Sequence, residues 1–335
     1  MAAIEVLCLS AEEIQSLITG DEVLATTEEV YRQVGLGKIV CPVKVSLPLP
    51  GNDEKNMHWI NSMPAFIAGD NVVGIKWVNV TSANRGRSLP VTMGTIILND
   101  ATTGLPLAIM DGTWITHVRT GASVAIGAKF FARKDSKTAA IIGAGSEGAS
   151  ALNSLVKVFD LQKIHVVDIN RSAGERFAKE NADKKLVFSI HDNIWEAVKD
   201  TDMVILTTTA RKPLMMREWA KPGDFICTVS CFADLDPRFV DQSDKLIVDD
   251  AHCALSRISA MAGLAVGPEK LYADICQIAA GQFKRRENDR EIITYAPAGM
   301  GAVDVAVAAL AYRKAQKAGR GTRQALIKNL ECLNR

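Results

Sequence analysis

Gly143, Gly145 and Gly148 follow the apolar run "KTAAIIG" at the spacing G-x-G-x-x-G. Glycines so placed allow a tight turn out of a buried strand, close backbone approach to an anion, and close packing of the next helix. That helix, "GASALNSLVKVF", would turn its free N–H groups and positive dipole end toward a pyrophosphate. A second strand, "KIHVVDIN", ends in Asp168, whose carboxylate can accept ribose hydroxyls and repel a 2′-phosphate. The pattern favours NAD over NADP. Arg171 lies just beyond and could clasp a phosphate if its loop turned inward. Two cations precede the glycines: Lys76 in "NVVGIKWVNV" and Arg119 in "THVRTGASVAIGAKFFARK". Residue type alone leaves both open. Lys76 is either a functional cation or a snorkelling strand-edge lysine, and Arg119 either a functional cation or a surface ion-pair partner.

The elements needed to position these groups are readable as periodic runs. After the glycine turn come "ERFAKEN", "LVFSI", "NIWEAVKD", "DMVILTTT", "DFICTVS" and "KLIVDD". Strands alternating with helices predict a doubly wound parallel sheet of the Rossmann kind. Upstream, "GTIILNDATTGLPLAIMDG" reads as a hairpin, and downstream "AVDVAVAALAYRKAQKAG" reads as a long helix expected to pack back on the first part of the chain. The predicted fold is therefore α/β, with a discontinuous α+β domain over 1–125 and 302–335 and a dinucleotide domain over 126–301. A chain of 335 residues is long enough for two such cores.

Thirty-nine basic residues balance 38 acidic ones, and they are scattered, so neither nucleic acid nor a membrane surface is an expected partner. The opening "MAAIEVLCLSAEEIQ" has Glu5 and no basic stretch, and no apolar run reaches the roughly 18–20 residues of a membrane span. A cytoplasmic location is expected. Cys227 and Cys231 have no further cysteine or histidine nearby to complete a tetrahedral site, so no metal is expected. Of the histidines, His58 is a candidate accessory acid and His165, inside a strand, a structural residue.

The blocks "MPAFIAG…GIKWVN", "ND-x-x-TG-x-P-L-A-x-MDG", "T-x-x-RTGASVAIGAKFFARKDS", "IIGAGSEG" and "GMGAVDVAVAA" resemble the ornithine cyclodeaminase/mu-crystallin family nearly end to end. The resemblance implies a homodimer built through the leading domain, with chemistry in a cleft between that domain and the nucleotide domain. It implies that Lys76 and Arg119 grip a substrate α-carboxylate. Lys44 in "CPVKVSLP" stands where the family usually has an arginine, losing bidentate geometry. Arg85 and Arg87 are candidates to compensate. It implies cofactor contacts from Arg119, Ser146, Glu147, Asp168, Thr208, Thr209, Val229, Ser230, Ala298 and Gly299.

The chain departs from true cyclodeaminases where a second amine must be handled. Asn61 in "INSMP" replaces a glutamate, and "CTVSCFADLDPRF" is shorter than the family's "G-x-D-x-PGK-x-E" loop. Asp234 and Asp236 read either as replacement acids or as helix N-caps. With cofactor and carboxylate positions present and the amine site missing, the family's redox branch fits best. The expected activity is that of an NAD(H)-dependent amino acid dehydrogenase or imine reductase acting at the C–N bond of an α-amino or α-imino acid, dicarboxylic if Lys44, Arg85 and Arg87 hold a second acid group. Lys76 or Asp234 would handle the proton. The alternatives are a cyclodeaminase that recycles its NAD and a non-catalytic, crystallin-like nucleotide-binding protein.

Overall fold

The computed structural model describes residues 3–53, 56–230, 232–251, 254–255, 258–259 and 266–328. The chain divides into two compact units, Met1–Arg119 with Met300–Arg335, and Thr120–Gly299. The first division falls inside helix Thr113–Phe131, some residues before the sequence-based boundary at 125/126. An unbroken helix has no loop composition to mark where one core gives way to the next.

The Thr120–Gly299 unit holds eight parallel strands in the order 187–191, 163–167, 138–142, 203–206, 225–228, 293–296, 245–248 and 273–274. Met203–Leu206, Phe225–Thr228, Lys245–Val248 and Ile293–Ala296 are buried at every residue. This is why they read as short apolar runs and not as alternating ones: a parallel sheet is covered on both faces. Strand order reverses between Thr138–Ile142 and Met203–Leu206. At such a switch point the loops leaving the strand ends part and open a crevice.

The other unit is built on a mixed sheet ordered 322–327, 4–9, 106–111, 92–100, 72–81, 58–67 and 39–40, with 45–48 also paired to 58–67. The hairpin expected around "NDATTG" is present, joining Thr92–Asp100 to Pro106–Asp111. Helix Gly301–Ala318 packs on strands His58–Ile67, Val72–Thr81 and Thr92–Asp100, and helix Gly20–Gly35 packs on it in turn. Glycines permit the close approach. A Cβ on Gly74 would come 2.9 Å from Val305, and one on Gly301 would come 2.7 Å from the Met63 carbonyl oxygen.

The two faces of this sheet differ. Met63, Lys76 and Ile96 are paired across three strands and buried beneath the helix. On the opposite face Val45, Trp77 and Ile97 remain exposed although they are large and apolar. Among the described residues, no helix is long and apolar enough to cross a membrane.

Candidate active site

Lys76 sits in the middle of the inner strand Val72–Thr81 and is 1% exposed. It is not a snorkelling edge lysine. Its Nζ donates to Asp304 Oδ1 at 2.8 Å, and Arg119 Nε donates to the same oxygen at 2.9 Å. Arg119 lies in the first half of helix Thr113–Phe131 and Asp304 in the first turn of helix Gly301–Ala318. Three charged groups from distant parts of the chain thus meet around one oxygen. Asp304 is fully buried, and its Oδ2 has no hydrogen-bond partner among the described residues.

With Lys76 protonated, the cluster carries two positive charges against one negative. A buried excess charge raises the cost of protonation. Desolvation, reinforced by Arg119 and opposed by Asp304, pushes the Lys76 ammonium down to about 7, and Lys44 adds to the repulsion. Lys44 itself is half-buried just before strand Val45–Pro48. Asn61 is buried and accepts a 2.5 Å hydrogen bond from Ser46 Oγ, so a neutral amide fills the place read as a missing carboxylate. Arg85 and Arg87 are exposed in the 3-10 segment Ser82–Arg87. His58 lies near the surface with Nδ1 2.8 Å from the Pro50 carbonyl oxygen.

The second constellation lies in the Thr120–Gly299 unit. Gly143 has φ +105, and a Cβ there would meet the Thr207 carbonyl oxygen at 2.8 Å. A Cβ on Gly148 would come within 2.3 Å of the Gly143 carbonyl oxygen. These two glycines are required by the protein's own packing. Gly145 is different: a Cβ there would meet nothing within 4 Å. It caps helix Ser146–Leu155 and faces open space, which is where a pyrophosphate would need the backbone bare. Ser146 and Glu147 form the first turn. Asp168 braces the turn by accepting the Ala144 N–H at 2.8 Å and the Asn170 N–H at 2.9 Å. The residues present therefore fit a dinucleotide. Arg171 is engaged elsewhere, its Nη1 lying 2.7 Å from both Asp192 oxygens.

Asp234 is neither a cap nor a surface acid. It is fully buried, accepting the hydroxyls of Thr208 at 2.8 Å and of Thr228 and Ser230 at 2.6 Å each. Burial raises its pKa against those hydrogen bonds. It thus orients two of the expected cofactor residues, Thr208 and Ser230, through their hydroxyls. Thr209 is exposed beside them, and the Val229 N–H closes onto the Leu206 carbonyl. Asp236 is not the helix cap expected of it either: the N-cap is Arg238, whose N–H Asp236 accepts at 2.9 Å from two residues upstream. Ala298 and Gly299 donate to the two oxygens of Asp249 at 2.7 and 2.6 Å, which fixes their turn.

Cys227 is buried and its thiol pushed well up by desolvation, while Cys231 lies outside the described residues. No group of three metal-ligating side chains occurs among the described residues. His165 stacks on His191 with Nδ1 and Nε2 2.8 Å apart inside the sheet. Sequence reasoning missed Asp304 and Asp249. The available signals were a lone acid in the alanine–valine run "GAVDVAVAA" and the doublet in "KLIVDD".

A doubly wound sheet with a G-x-G-x-x-G turn at its switch point, joined in one chain to a mixed sheet holding a buried Lys–Asp–Arg cluster, defines the class as a two-unit α/β protein of dinucleotide-binding architecture. The chain belongs to the ornithine cyclodeaminase/mu-crystallin family, whose model matches residues 5–319. It is 34% identical over 319 residues to the alanine dehydrogenase of Archaeoglobus fulgidus, covering 93% of this chain and 95% of that one. Among solved structures it resembles the Thermococcus litoralis Δ1-pyrroline-2-carboxylate reductase in complex with NADH and L-proline, with TM-score 0.89 and 33% identity over 95% of this chain and 99% of that one. An archaeal alanine dehydrogenase dimer with bound NAD gives TM-score 0.89 and 32% identity over 96% of this chain and all of that one.

Proposed function

We propose that the protein is an NAD(H)-dependent oxidoreductase that interconverts an α-imino acid and the corresponding α-amino acid. The observation that carries this reading is the buried cluster of Lys76, Arg119 and Asp304, in which two cationic side chains share one carboxylate oxygen. A substrate carboxylate would take further hydrogen bonds from them. Charge-assisted hydrogen bonds of this kind contribute about 1.5–3 kcal/mol each and fix the orientation of the carbon beside the carboxylate.

When bound, the dinucleotide supplies the hydride acceptor in oxidation and, reduced, the hydride donor in reduction. Reduction of the C=N bond also consumes one proton. A lysine with its pKa near 7 is half-protonated at neutrality, so Lys76 can give that proton to the nitrogen. In oxidation its neutral form takes the proton from the amine. Asp304 keeps the ammonium in place, and Arg119 remains charged throughout and holds the carboxylate. Asp234 acts at one remove, by setting the directions of the Thr208 and Ser230 hydroxyls.

A homodimer through the mixed sheet completes the proposal. The exposed row of Val45, Trp77 and Ile97 is what a second copy would cover, and the archaeal alanine dehydrogenase relative is a dimer. The functional test is a panel of cyclic imino acids, and of 2-oxo acids with ammonia or amines, read by NADH consumption. Stoichiometric loss of NADH with an α-imino acid is expected. Release of proline and ammonia from ornithine at enzyme-like rates with catalytic NAD would instead establish a cyclodeaminase.

A further inference from the structure

Arg171 is a cation placed to change the choice of dinucleotide. It opens helix Arg171–Glu180 directly after the Asp168–Asn170 turn, where a guanidinium could reach a 2′-phosphate. Its position is already taken. Nη1 lies 2.7 Å from both oxygens of Asp192, and Nε lies 3.3 Å from Glu175 Oε1, one helical turn along. Asp192 follows the edge strand Val187–His191, which pairs in parallel with the strand leading to Asp168. The sheet register therefore brings the Asp192 carboxylate to the same end of the sheet as the ribose-binding acid.

We propose that Asp192, seconded by Glu175, determines cofactor selectivity by holding Arg171 away from the ribose edge. This rests on the reading of Asp168 as the ribose-binding acid. Asp192 and Glu175 thus set two carboxylates on the Arg171 guanidinium. A 2′-phosphate arriving there finds the Arg171 guanidinium already paired. Because the side chains of Arg171 and Asp192 are 52% and 75% exposed, the pair is screened by salt and needs no large input to open. Selectivity should therefore be easy to shift at this point.

The experiment is equilibrium binding of NADH and NADPH to the full-length protein, followed by calorimetry, which needs no substrate. In Glu175→Gln/Asp192→Asn, NADPH affinity is expected to rise about tenfold, with NADH affinity changed less than about twofold. Adding Arg171→Ala should abolish the gain. An unchanged NADPH affinity in the double variant overturns the proposal. So does a gain that survives Arg171→Ala, because lost repulsion alone would then explain it. Asp168→Ala separates the underlying reading: if it leaves NADH affinity unchanged, Asp168 does not bind ribose and that premise fails on its own.

Discussion

The two constellations are made of different material. In the Thr120–Gly299 unit the proposed cradle is backbone, set by contiguous residues, with Gly143 and Gly148 fixed by packing and Gly145 facing open space. In the other unit the proposed site consists of three ionisable side chains from one strand and two helices, buried in an apolar core. A backbone cradle can lose affinity without losing its fold. A buried charge cluster cannot lose one member without leaving the others uncompensated. Function and stability are therefore separable in the first and coupled in the second.

The largest effects should come from the charge cluster. Lys76→Met is expected to lower kcat for imine reduction by about 10²–10⁴-fold, the range for losing a positioned proton donor. Steady-state kinetics checks this, and unchanged turnover would point to a protein that binds nucleotide without using this site. Asp304→Ala leaves Lys76 and Arg119 facing each other unneutralised and should cost about 3–5 kcal/mol in urea-induced unfolding. A stability close to that of the parent would show the cluster to be less dry than its burial implies.

The cradle should respond more gently and more selectively. Gly145→Ala places its Cβ in open space, so thermal stability should hold while NADH affinity falls about tenfold through loss of pyrophosphate contacts. Gly148→Ala must instead move the helix away from the Gly143 carbonyl, and should lower both affinity and melting temperature. If the two variants behaved alike, the division between ligand-facing and packing glycines would be wrong.

The smallest effect on binding is its pH dependence. Carboxylate affinity should decline as pH rises through about 7 and Lys76 loses its charge, and Lys76→Arg should flatten that limb. Stability has the opposite sign. A lysine whose folded pKa lies below its unfolded value of about 10.4 binds fewer protons folded than unfolded. The unfolding free energy of the free protein should therefore rise from pH 7 toward 10. Parallel urea titrations of parent and Lys76→Met give the difference.

What could be read from the sequence follows the same division. The G-x-G-x-x-G turn and the alternating strands were readable because the motif is local in sequence, its three glycines falling within six residues, although Gly143 packs against Thr207 from a distant strand end. Lys76 stood out as a charge among apolar neighbours and Arg119 through the family resemblance, but their meeting at one oxygen did not, because Asp304 arrives from the end of the chain through helix packing. Asp234 shows the limit from the other side. Its register after the strand suggested an acid offered to substrate or a helix cap, whereas three hydroxyls converge on it inside the core. No local pattern encodes convergence from three positions. The division between units escaped a boundary reading because it falls inside one helix.

The pairing of Lys76 and Arg119 with an acid group is tested most directly by comparing an imino acid with its neutral amide under NADH. A preference of at least about 100-fold in kcat/KM for the carboxylate is expected in the parent, collapsing toward unity in Lys76→Met/Arg119→Met. Equal rates on acid and amide in the parent, or a preference that survives in the double variant, would contradict the account.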